Sequence, residues 1–332
     1  MRYSGKYPRK FEQKYKEHDP ERFPDAIAKV LASGKTPAGM HRPIMVEEVL
    51  DVLRPSPGDI AVDCTLGYGG HAREILGRIQ PGGQLLGLDA DPLELPKTEA
   101  RLRAAGFGPE TFRAHRSNFA GLSGVLAAEG LAGANLVFAD LGVSSMQFDE
   151  PARGFSFKAE GPLDMRMNPG RGQPASALLK KVTPSVLAEL LTENADEPHA
   201  TALAQVLAGQ EFATTLSLSK AIRSTLSNVK PDDCELSVRR VFQALRIAVN
   251  DEFSALETLL RSLPSCLAAG GRAAILTFHS GEDRRVKKAF EAGLQDGLFS
   301  DIASEVLRPS PAERHANPRS ASAKLRWAIR AG

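Results

Sequence analysis

The sequence is short of the features that mark several protein classes. Its three cysteines, Cys64, Cys234 and Cys266, lie far apart along the chain, which excludes a disulfide framework and a thiolate metal site. No stretch approaches the roughly 18 consecutive apolar residues that a membrane-spanning helix needs. The first residues are polar, unlike those of a signal peptide. The sequence therefore predicts a cytoplasmic protein without a membrane partner.

Charge of one sign is not in excess either, since 42 Lys and Arg face 40 Asp and Glu. The two ends are nevertheless basic: residues 1–40 hold nine basic residues against five acidic ones, and residues 284–332 hold ten against five. Basic ends favour a polyanionic partner through counterion release, but they also serve solubility. The composition alone leaves nucleic-acid binding open.

Short apolar runs separated by helical stretches indicate an α/β fold around a parallel sheet. Four of these runs end in a polar residue, namely Asp63, Asp89, Asp140 and His279. In an open α/β sheet the ligand crevice lies beyond the carboxyl ends of the strands. We therefore expect these four side chains to lie near a bound ligand.

The apolar runs also predict how the chain divides into domains. Residues 1–40 are polar and broken by prolines, which indicates a basic extension with one short helix near 25–31. Residues 41–147 and 237–332 form the two halves of a discontinuous α/β domain. The segment 148–236 lacks a convincing buried strand and is interpreted as an inserted, mostly helical domain. A single long amphipathic helix with apolar positions from Val238 to Leu260 follows it.

A glycine-rich turn follows the first strand, and an acidic residue stands at an informative spacing after it in the sequence. Asp89 comes 22 residues after Gly67, the spacing at which a carboxylate reaches the hydroxyls of a ribose. The dinucleotide pattern G-x-G-x-x-G fails because Arg73 stands three residues after Gly70, and a P-loop fails as well. The turn therefore fits S-adenosylmethionine better than NAD. The alternative without a ligand is an ordinary tight turn followed by a helix-capping Asp.

A series of motifs then resembles one family in order along the chain, from about residue 41 to residue 330. The chain resembles the MraW/RsmH family of bacterial small-subunit ribosomal RNA methyltransferases, which modify N4 of a cytosine. Later motifs in this series are more specific than the first ones. The segments are HRPIM (41–45), DCTLGYGGH (63–71), GLDADP (87–92), DLGVSSMQFD (140–149), RGFSF (153–157), GPLDMRM (161–167), FQALRIAVNDE (242–252), FHSGEDR (278–284) and NPRSASAKLR (317–326).

The resemblance implies a Rossmann-like, class I S-adenosylmethionine-dependent methyltransferase in which the inserted helices recognise the substrate. It places Asp89 at the donor's ribose and Phe119 beside the adenine. Without a functional role, Phe119 would be a core side chain and Gln147 a solvated loop residue. No metal is implied. The donor-site residues that the resemblance implies are Gly69, Gly70, His71, Asp89, Phe119, Asp140 and Gln147.

The resemblance also implies a substrate, a decoding-centre (P-site) cytosine of 16S rRNA within the small ribosomal subunit. Its amine is a poor nucleophile, so the site must align it and accept its hydrogen bonds. A paired cytosine must first leave its stack. The expected acceptors are Asp140, Ser144 and Ser145. The expected substrate residues are Gln243, Arg246, Asn250, His279, Ser280, Asp283 and Arg284, with Arg314, Arg319, Lys324, Arg326 and Arg330 at phosphates.

Three departures from the family pattern fall on the expected substrate side. The family's proline after DLGVSS is Met146, its HPATR reads Leu236-Ser237-Val238-Arg239, and the Leu of HSLED is Gly281. They keep two alternatives open: a paralogue that modifies another RNA position, and an inactive ribosome-assembly factor. An NAD dehydrogenase is a distant third. No DNA partner is expected, and a homodimer stays open.

Overall fold

A computed structural model describes residues 43–332. The expected extension 1–40, its short helix near 25–31, and His41 and Arg42 of the first motif lie outside the described residues, as does the side chain of Ser145. No helix in the described range is both long and apolar enough to cross a membrane.

The core of the fold is a seven-stranded sheet in the order β3-β2-β1-β4-β5-β7-β6. The first five of these strands run parallel, and β7 and β6 extend the sheet antiparallel. This order, with the first strand in the middle, defines a Rossmann-like α/β fold. The strands are β1 (Ile60–Asp63), β2 (Gln84–Asp89), β3 (Phe112–Arg116), β4 (Ala134–Asp140), β5 (Leu267–Thr277), β6 (Phe299–Ile302) and β7 (Lys324–Arg330).

Helices cover both faces of the sheet and pack against two separate apolar cores. Successive residues of β4 show why the central strands are apolar throughout: Val137 and Ala139 enter one core, and Leu136 and Phe138 the other. The helices that flank the sheet are α1 (Val46–Leu53), α2 (Gly70–Ile79), α3 (Leu95–Ala104), α4 (Leu122–Ala128), α11 (Glu252–Cys266), α12 (Ser280–Gln295) and α13 (Pro311–Ala316).

The segment between β4 and α11 is helical and has its own core. Its buried side chains run from Phe155 to Leu245 and include Leu191, Leu203 and Ile222, all 0% exposed. This core includes side chains of α10 as far as Leu245, beyond the expected end of the inserted domain at residue 236. The expected domain bounds 148–236 stay a prediction. The helices are α5 (Ser145–Asp149), α6 (Ala175–Lys181), α7 (Pro184–Ala195), α8 (Ala200–Leu207), α9 (Thr215–Thr225) and α10 (Pro231–Asn250).

The expectation of one continuous helix through Val238 and Leu260 is wrong. The structure ends α10 at Asn250 and begins α11 at Glu252, with Asp251 between them in the left-handed region at φ 51°. The apolar periodicity continues across this break, because both helices bury one face against the protein. The sequence has no glycine or proline next to Asp251, so the apolar pattern alone does not reveal the break between the two helices.

Candidate active site

The parallel register brings three carboxyl groups to one edge of the sheet. Asp63 pairs with Gly87 of β2 and with Phe138 of β4, so β1 ends beside the last residues of both neighbours. Asp89 and Asp140 are the final residues of those neighbours. The expected gathering of strand-end residues therefore holds for these three acids, which we call the carboxyl cluster.

The glycine-rich turn packs tightly beside the carboxyl cluster. The backbone N–H of Gly67 donates to Asp89 Oδ2 at 2.8 Å, and Gly69 has φ 83°, a conformation that L side chains rarely adopt. A Cβ at Gly69 would lie 2.9 Å from Thr98, and one at Gly70 would lie 3.1 Å from the Pro43 ring. The turn thus has room for backbone but not for side chains at these two positions.

Burial makes the carboxyl cluster unusually basic. It raises the pKa of Asp63 to about 7, with further raising by the nearby Asp89 charge against a lowering hydrogen bond from Thr65 N–H. It raises the pKa of Asp140 to about 8, helped by the charges of Asp63 and Glu282. The pKa of Asp89 rises to about 6 for the same first reason. At neutral pH these carboxyls therefore lie close to their titration points.

His71 lies against Asp140 and has a defined orientation. Its Nε2 is 2.9 Å from the carbonyl oxygen of Ile44, and because a carbonyl only accepts, Nε2 carries the proton. Its Nδ1 lies 3.8 Å from Asp140 Oδ2, and its ring packs 4.5 Å from that of Phe138. The imidazole therefore presents its basic nitrogen towards the carboxyl cluster.

Gln147 lies in a buried polar network rather than in a solvated loop. Its Nε2 donates to Asp91 Oδ2 at 2.8 Å, and Arg153 Nη1 donates to the same oxygen at 2.7 Å. Ser144 caps α5, accepting from Gln147 N–H while its own N–H donates to Gln147 Oε1. Asp91 is 0% exposed. This network fixes the loop after β4 against the end of β2, and roles for Ser144, Ser145 and Gln147 at donor or substrate stay predictions.

Phe119 lies just beyond the carboxyl end of β3, three residues after Arg116. It is half-buried and packs against the core beneath α4 and α11. It begins a short 3-10 turn that Asn118 caps by accepting from Ala120 N–H. Its partial burial fits both a core role and a ligand contact, so its contact with an adenine stays a prediction.

The expected polar stripe on α10 is engaged within the protein. Asn250 Oδ1 accepts from Met167 N–H at 2.7 Å and its Nδ2 donates to Met165 O at 2.8 Å. Gln243 Nε2 donates to the carbonyl of Asn194 at 3.2 Å. These contacts hold the GPLDMRM loop and the end of α7 on α10. They favour positioning roles, and direct contact with a substrate stays a prediction.

Arg246 makes a two-point ion pair at the helix break. Its Nε and Nη2 donate to the two carboxylate oxygens of Glu252 at 2.7 and 2.8 Å. Both side chains are largely buried, at 17% and 9% exposed. A Cβ at Gly142 would lie 3.9 Å from Arg246 Nη1, so the guanidinium reaches the loop that follows Asp140. Arg246 therefore connects the break between α10 and α11 with the loop that follows Asp140.

His279 caps α12 together with Glu282. Glu282 N–H donates to His279 Nδ1, and Glu282 Oε2 accepts from Phe278 N–H at 2.8 Å. Burial opposes ionisation of Glu282, but the His279 hydrogen bond and the charges of His279 and Arg246 bring its pKa below the usual value. The packing explains why position 281 is a glycine, because a Cβ there would lie 2.7 Å from Phe253. The family's leucine would not fit beside that ring.

The remaining expected substrate residues of α12 differ in their surroundings. Ser280 and Arg284 are exposed and both contact Asp196 at the end of α7, at 3.0 and 3.3 Å. Asp283 accepts from Arg326 at 2.7 Å and from Lys324 at 3.2 Å. Burial opposes its ionisation, yet these cations lower the pKa of Asp283.

The C-terminal basic residues are accordingly not one surface. Lys324 and Arg326 are committed to Asp283, and Arg330 donates to Leu298 O at 2.7 Å. Arg314 is exposed, and Arg319 is half-exposed in a pair with Asp149. Among the described residues, Arg314 and Arg330 form no ion pair, whereas Arg319 would have to exchange Asp149 for a phosphate.

Sequence reasoning missed Asp91, Arg153, Glu252 and Glu282 as members of the site's frame. Each lies inside a quoted motif, and each is a charged side chain with low exposure. A charge within an otherwise apolar motif was the available signal, since buried charges need partners. Within residues 43–332, no group of three or more metal-ligating side chains is close enough to hold a metal ion.

Comparison with known families agrees with this geometry. A family model described as the MraW methylase family matches residues 38–331. The chain belongs to the MraW methylase family, a family of methyltransferases.

Individual relatives extend the similarity along the chain. Ribosomal RNA small subunit methyltransferase H 2 of Alkaliphilus metalliredigens is 47% identical over 340 residues, covering 100% of this chain and 97% of the relative. Methyltransferase H 1 of Lachnoclostridium phytofermentans is 46% identical, covering 99% and 92%. The methyltransferase H of Anaeromyxobacter sp. strain K is 40% identical over 86% of this chain. The first two alignments include the segment 1–40, which is therefore shared with those relatives.

Solved structures resemble this one only distantly. An S-adenosylmethionine-dependent O-methyltransferase from Thermotoga maritima has a TM-score of 0.40 at 10% identity, covering 89% of this chain and 69% of its own. An rRNA methylase from Streptococcus thermophilus has a TM-score of 0.39 at 13% identity, covering 88% and 99%. The fold assignment rests on the strand order described above.

The carboxyl cluster predicts an unusual pH dependence of stability. A folded Asp140 keeps its proton up to about pH 8, whereas an unfolded Asp loses it near 3.8. The cluster therefore costs stability progressively as the pH rises between these values. We expect Asp140→Asn to raise the melting temperature of the ligand-free protein at pH 8–9, and to raise it less at pH 6.

Asp283→Asn is the matched control, because the pKa of Asp283 is lowered and not raised. Its carboxylate stabilises the fold above the ordinary pKa, so this variant should melt at a lower temperature than the wild type at pH 7–9. Thermal unfolding across pH 6–9 measures both. An Asp140→Asn protein that melts below the wild type at pH 9 would contradict the account of the cluster.

The Arg246–Glu252 pair predicts a strong asymmetry between single and double substitution. Arg246→Met leaves the Glu252 carboxylate buried without its cation and should cost about 3 kcal/mol. The double variant Arg246→Met, Glu252→Met removes both charges and should recover much of that loss. Arg284→Met, which breaks an exposed pair, should cost less than about 1 kcal/mol. Urea unfolding compares them, and a double variant no more stable than Arg246→Met would refute the pair's role.

Proposed function

We propose that this protein methylates the N4 amine of a cytosine in 16S rRNA of the small ribosomal subunit, at the decoding-centre P site. The observation that carries the proposal is the carboxyl cluster beside the glycine turn in a chain of the MraW methylase family. The relatives named small-subunit rRNA methyltransferase H support the RNA substrate. Such a substrate places the reaction in the cytoplasm.

The methyl donor is S-adenosyl-L-methionine, and the residues present fit it. The donor carries two positive charges, on its sulfonium and its amino group, and a cation beside the carboxyl cluster favours the ionised carboxylates. Side chains at Gly69 and Gly70 would press against Thr98 and Pro43, so the turn is packed as bare backbone, and glycines of this kind let a backbone approach a ligand closely. Asp89, anchored by the N–H groups of Gly67 and Asp91, keeps lone pairs for two ribose hydroxyls. When bound, the donor supplies an electrophilic methyl group.

Asp140 is the residue we assign to the amine. The N4 lone pair is delocalised into the ring, so an acceptor must take an N–H proton as the nitrogen bonds to carbon and the carbon–sulfur bond breaks. Burial raises the pKa of Asp140 to about 8 in the ligand-free protein, and the cationic donor would lower it, so that the carboxylate form needed to accept the proton is available near neutral pH. His71 Nδ1, at 3.8 Å, provides a second basic atom beside it. Ser144 and Ser145 remain the neighbouring candidates for orienting the amine.

The helices between β4 and α11 form the side of the site on which we place the RNA. Residues 148–236 are proposed to recognise the substrate, with 41–147 and 237–332 as the catalytic domain. Exposed cations on this side include Arg239 on α10 and Arg319, which pairs with Asp149 of α5. Arginine contacts to phosphate position an RNA without reading its sequence. Base-specific contacts are then needed nearby to select the target.

The direct test is nucleoside mass spectrometry of small-subunit rRNA. Subunits from cells that lack the enzyme are incubated with the purified protein and labelled S-adenosylmethionine. We expect labelled N4-methylcytidine at one decoding-centre position with the wild type, and a loss of at least about a hundredfold in rate with Asp140→Asn, since positioned proton acceptors contribute about that much.

Two outcomes would overturn parts of the proposal. Label on another nucleoside or position would identify a paralogue with a different target. Donor binding without any label on RNA would favour a ribosome-assembly factor without turnover. Asp301→Asn serves as the control, since Asp301 is exposed on β6, the edge strand at the antiparallel side of the sheet.

A further inference from the structure

A cavity of about 320 Å³ lies outside the carboxyl cluster, between one face of α10 and the loop that joins α7 to α8. Four α10 side chains at positions i, i+3, i+4 and i+7 line it: Asp233, Leu236, Ser237 and Arg240. His199 faces them from the loop. A volume near the lower end of known ligand pockets suits one nucleotide-sized ligand.

A buried carboxylate lies behind this cavity. Glu197 is 3% exposed, and its Oε1 accepts from Ser237 Oγ at 2.8 Å and from His199 N–H at 2.9 Å. Its Oε2 has no hydrogen-bond partner in the part of the chain that the structure describes. Two lining residues are thus held in place by an acid that still has acceptor capacity. The buried acid therefore fixes one polar wall of the cavity.

The wall of the cavity is tied to the active edge of the sheet. Asp196 precedes Glu197 and contacts Ser280 and Arg284 at the start of α12, which follows β5 directly. Along α10, Ser237 lies roughly 20 Å from Asn250 at a rise of about 1.5 Å per residue. At this distance the cavity is within reach of a nucleotide a few positions along an RNA strand whose target base enters the site.

The lining matches an unstacked nucleotide. Imidazole and guanidinium planes are surfaces on which RNA bases stack, and His199 and Arg240 provide one of each. Arg240 can instead bind a phosphate. Asp233 accepts hydrogen bonds from exocyclic amines, and Leu236 offers an apolar surface to a base face. The mixture suits RNA better than it suits a purely apolar ligand.

The cavity also coincides with a departure from the family pattern. Leu236 and Ser237, both in its lining, stand where the family reads the first residues of HPATR. The wall therefore departs from the family motif at two positions. We propose that this cavity binds a nucleotide of the substrate RNA a few positions from the methylated base, and that it helps to select the target. The proposal rests on the RNA methylation proposed above.

Two substitutions test the cavity without touching the carboxyl cluster. Leu236→Trp fills it from its exposed rim, and Arg240→Ala removes its cation. We expect each to raise the KM for the small subunit about tenfold, in line with the loss of one base contact, while kcat and the affinity for S-adenosylmethionine stay unchanged. Leu216→Trp and Arg261→Ala, exposed residues of α9 and α11 outside the cavity, are the controls and should leave KM unchanged.

A photoreactive benzoylphenylalanine at position 236 gives a readout that a structural role would not produce. We expect a crosslink to 16S rRNA within a few nucleotides of the methylated base. A crosslink to a ribosomal protein only, or variants whose KM equals that of the controls, would overturn the nucleotide site. If the wild type places no methyl group on rRNA, the function proposed above fails instead, so the two failures are distinguishable.

Discussion

Three carboxyl groups forced together at the end of a parallel sheet are the constraint on which the site depends. The register of β1 with β2 and β4 leaves no freedom to separate Asp63, Asp89 and Asp140. Backbone N–H groups from Thr65, Gly67 and Asp91 stabilise two of them, but burial still raises all three pKa values. The fold thus maintains an edge that is costly to ionise until a cation arrives.

Two buried networks of charged side chains connect this edge of the sheet with the rest of the molecule. Asp91 gathers Gln147 and Arg153, and so connects the end of β2 with the loops after β4. Arg246 and Glu252 connect the break between α10 and α11 with Gly142 beside Asp140. The helices between β4 and α11 are therefore attached to the edge of the sheet that carries the carboxyl cluster, through charged contacts whose loss on one side would destabilise the fold.

Local patterns predicted the parts of the fold that depend on one segment at a time. The runs that end at Asp63, Asp89 and Asp140 lie in β1, β2 and β4, and the glycine turn lies where its spacing placed it. The strand β3, with the sequence FRAHR, carries too many charges to be recognised by apolarity. The roles of Asn250 and Arg246 were equally hidden, because Asn250 binds residues more than 80 positions away and Arg246 binds across a helix break.

Calorimetric titration of S-adenosylmethionine at pH 7.5, in buffers of different ionisation enthalpy, tests the central claim most directly. The cationic donor should lower the pKa values of the carboxyl cluster and release protons on binding, so the measured heat should depend on the buffer. Asp140→Asn should release fewer protons, and so should S-adenosylhomocysteine, which lacks the sulfonium charge. The same heat in every buffer would contradict the account.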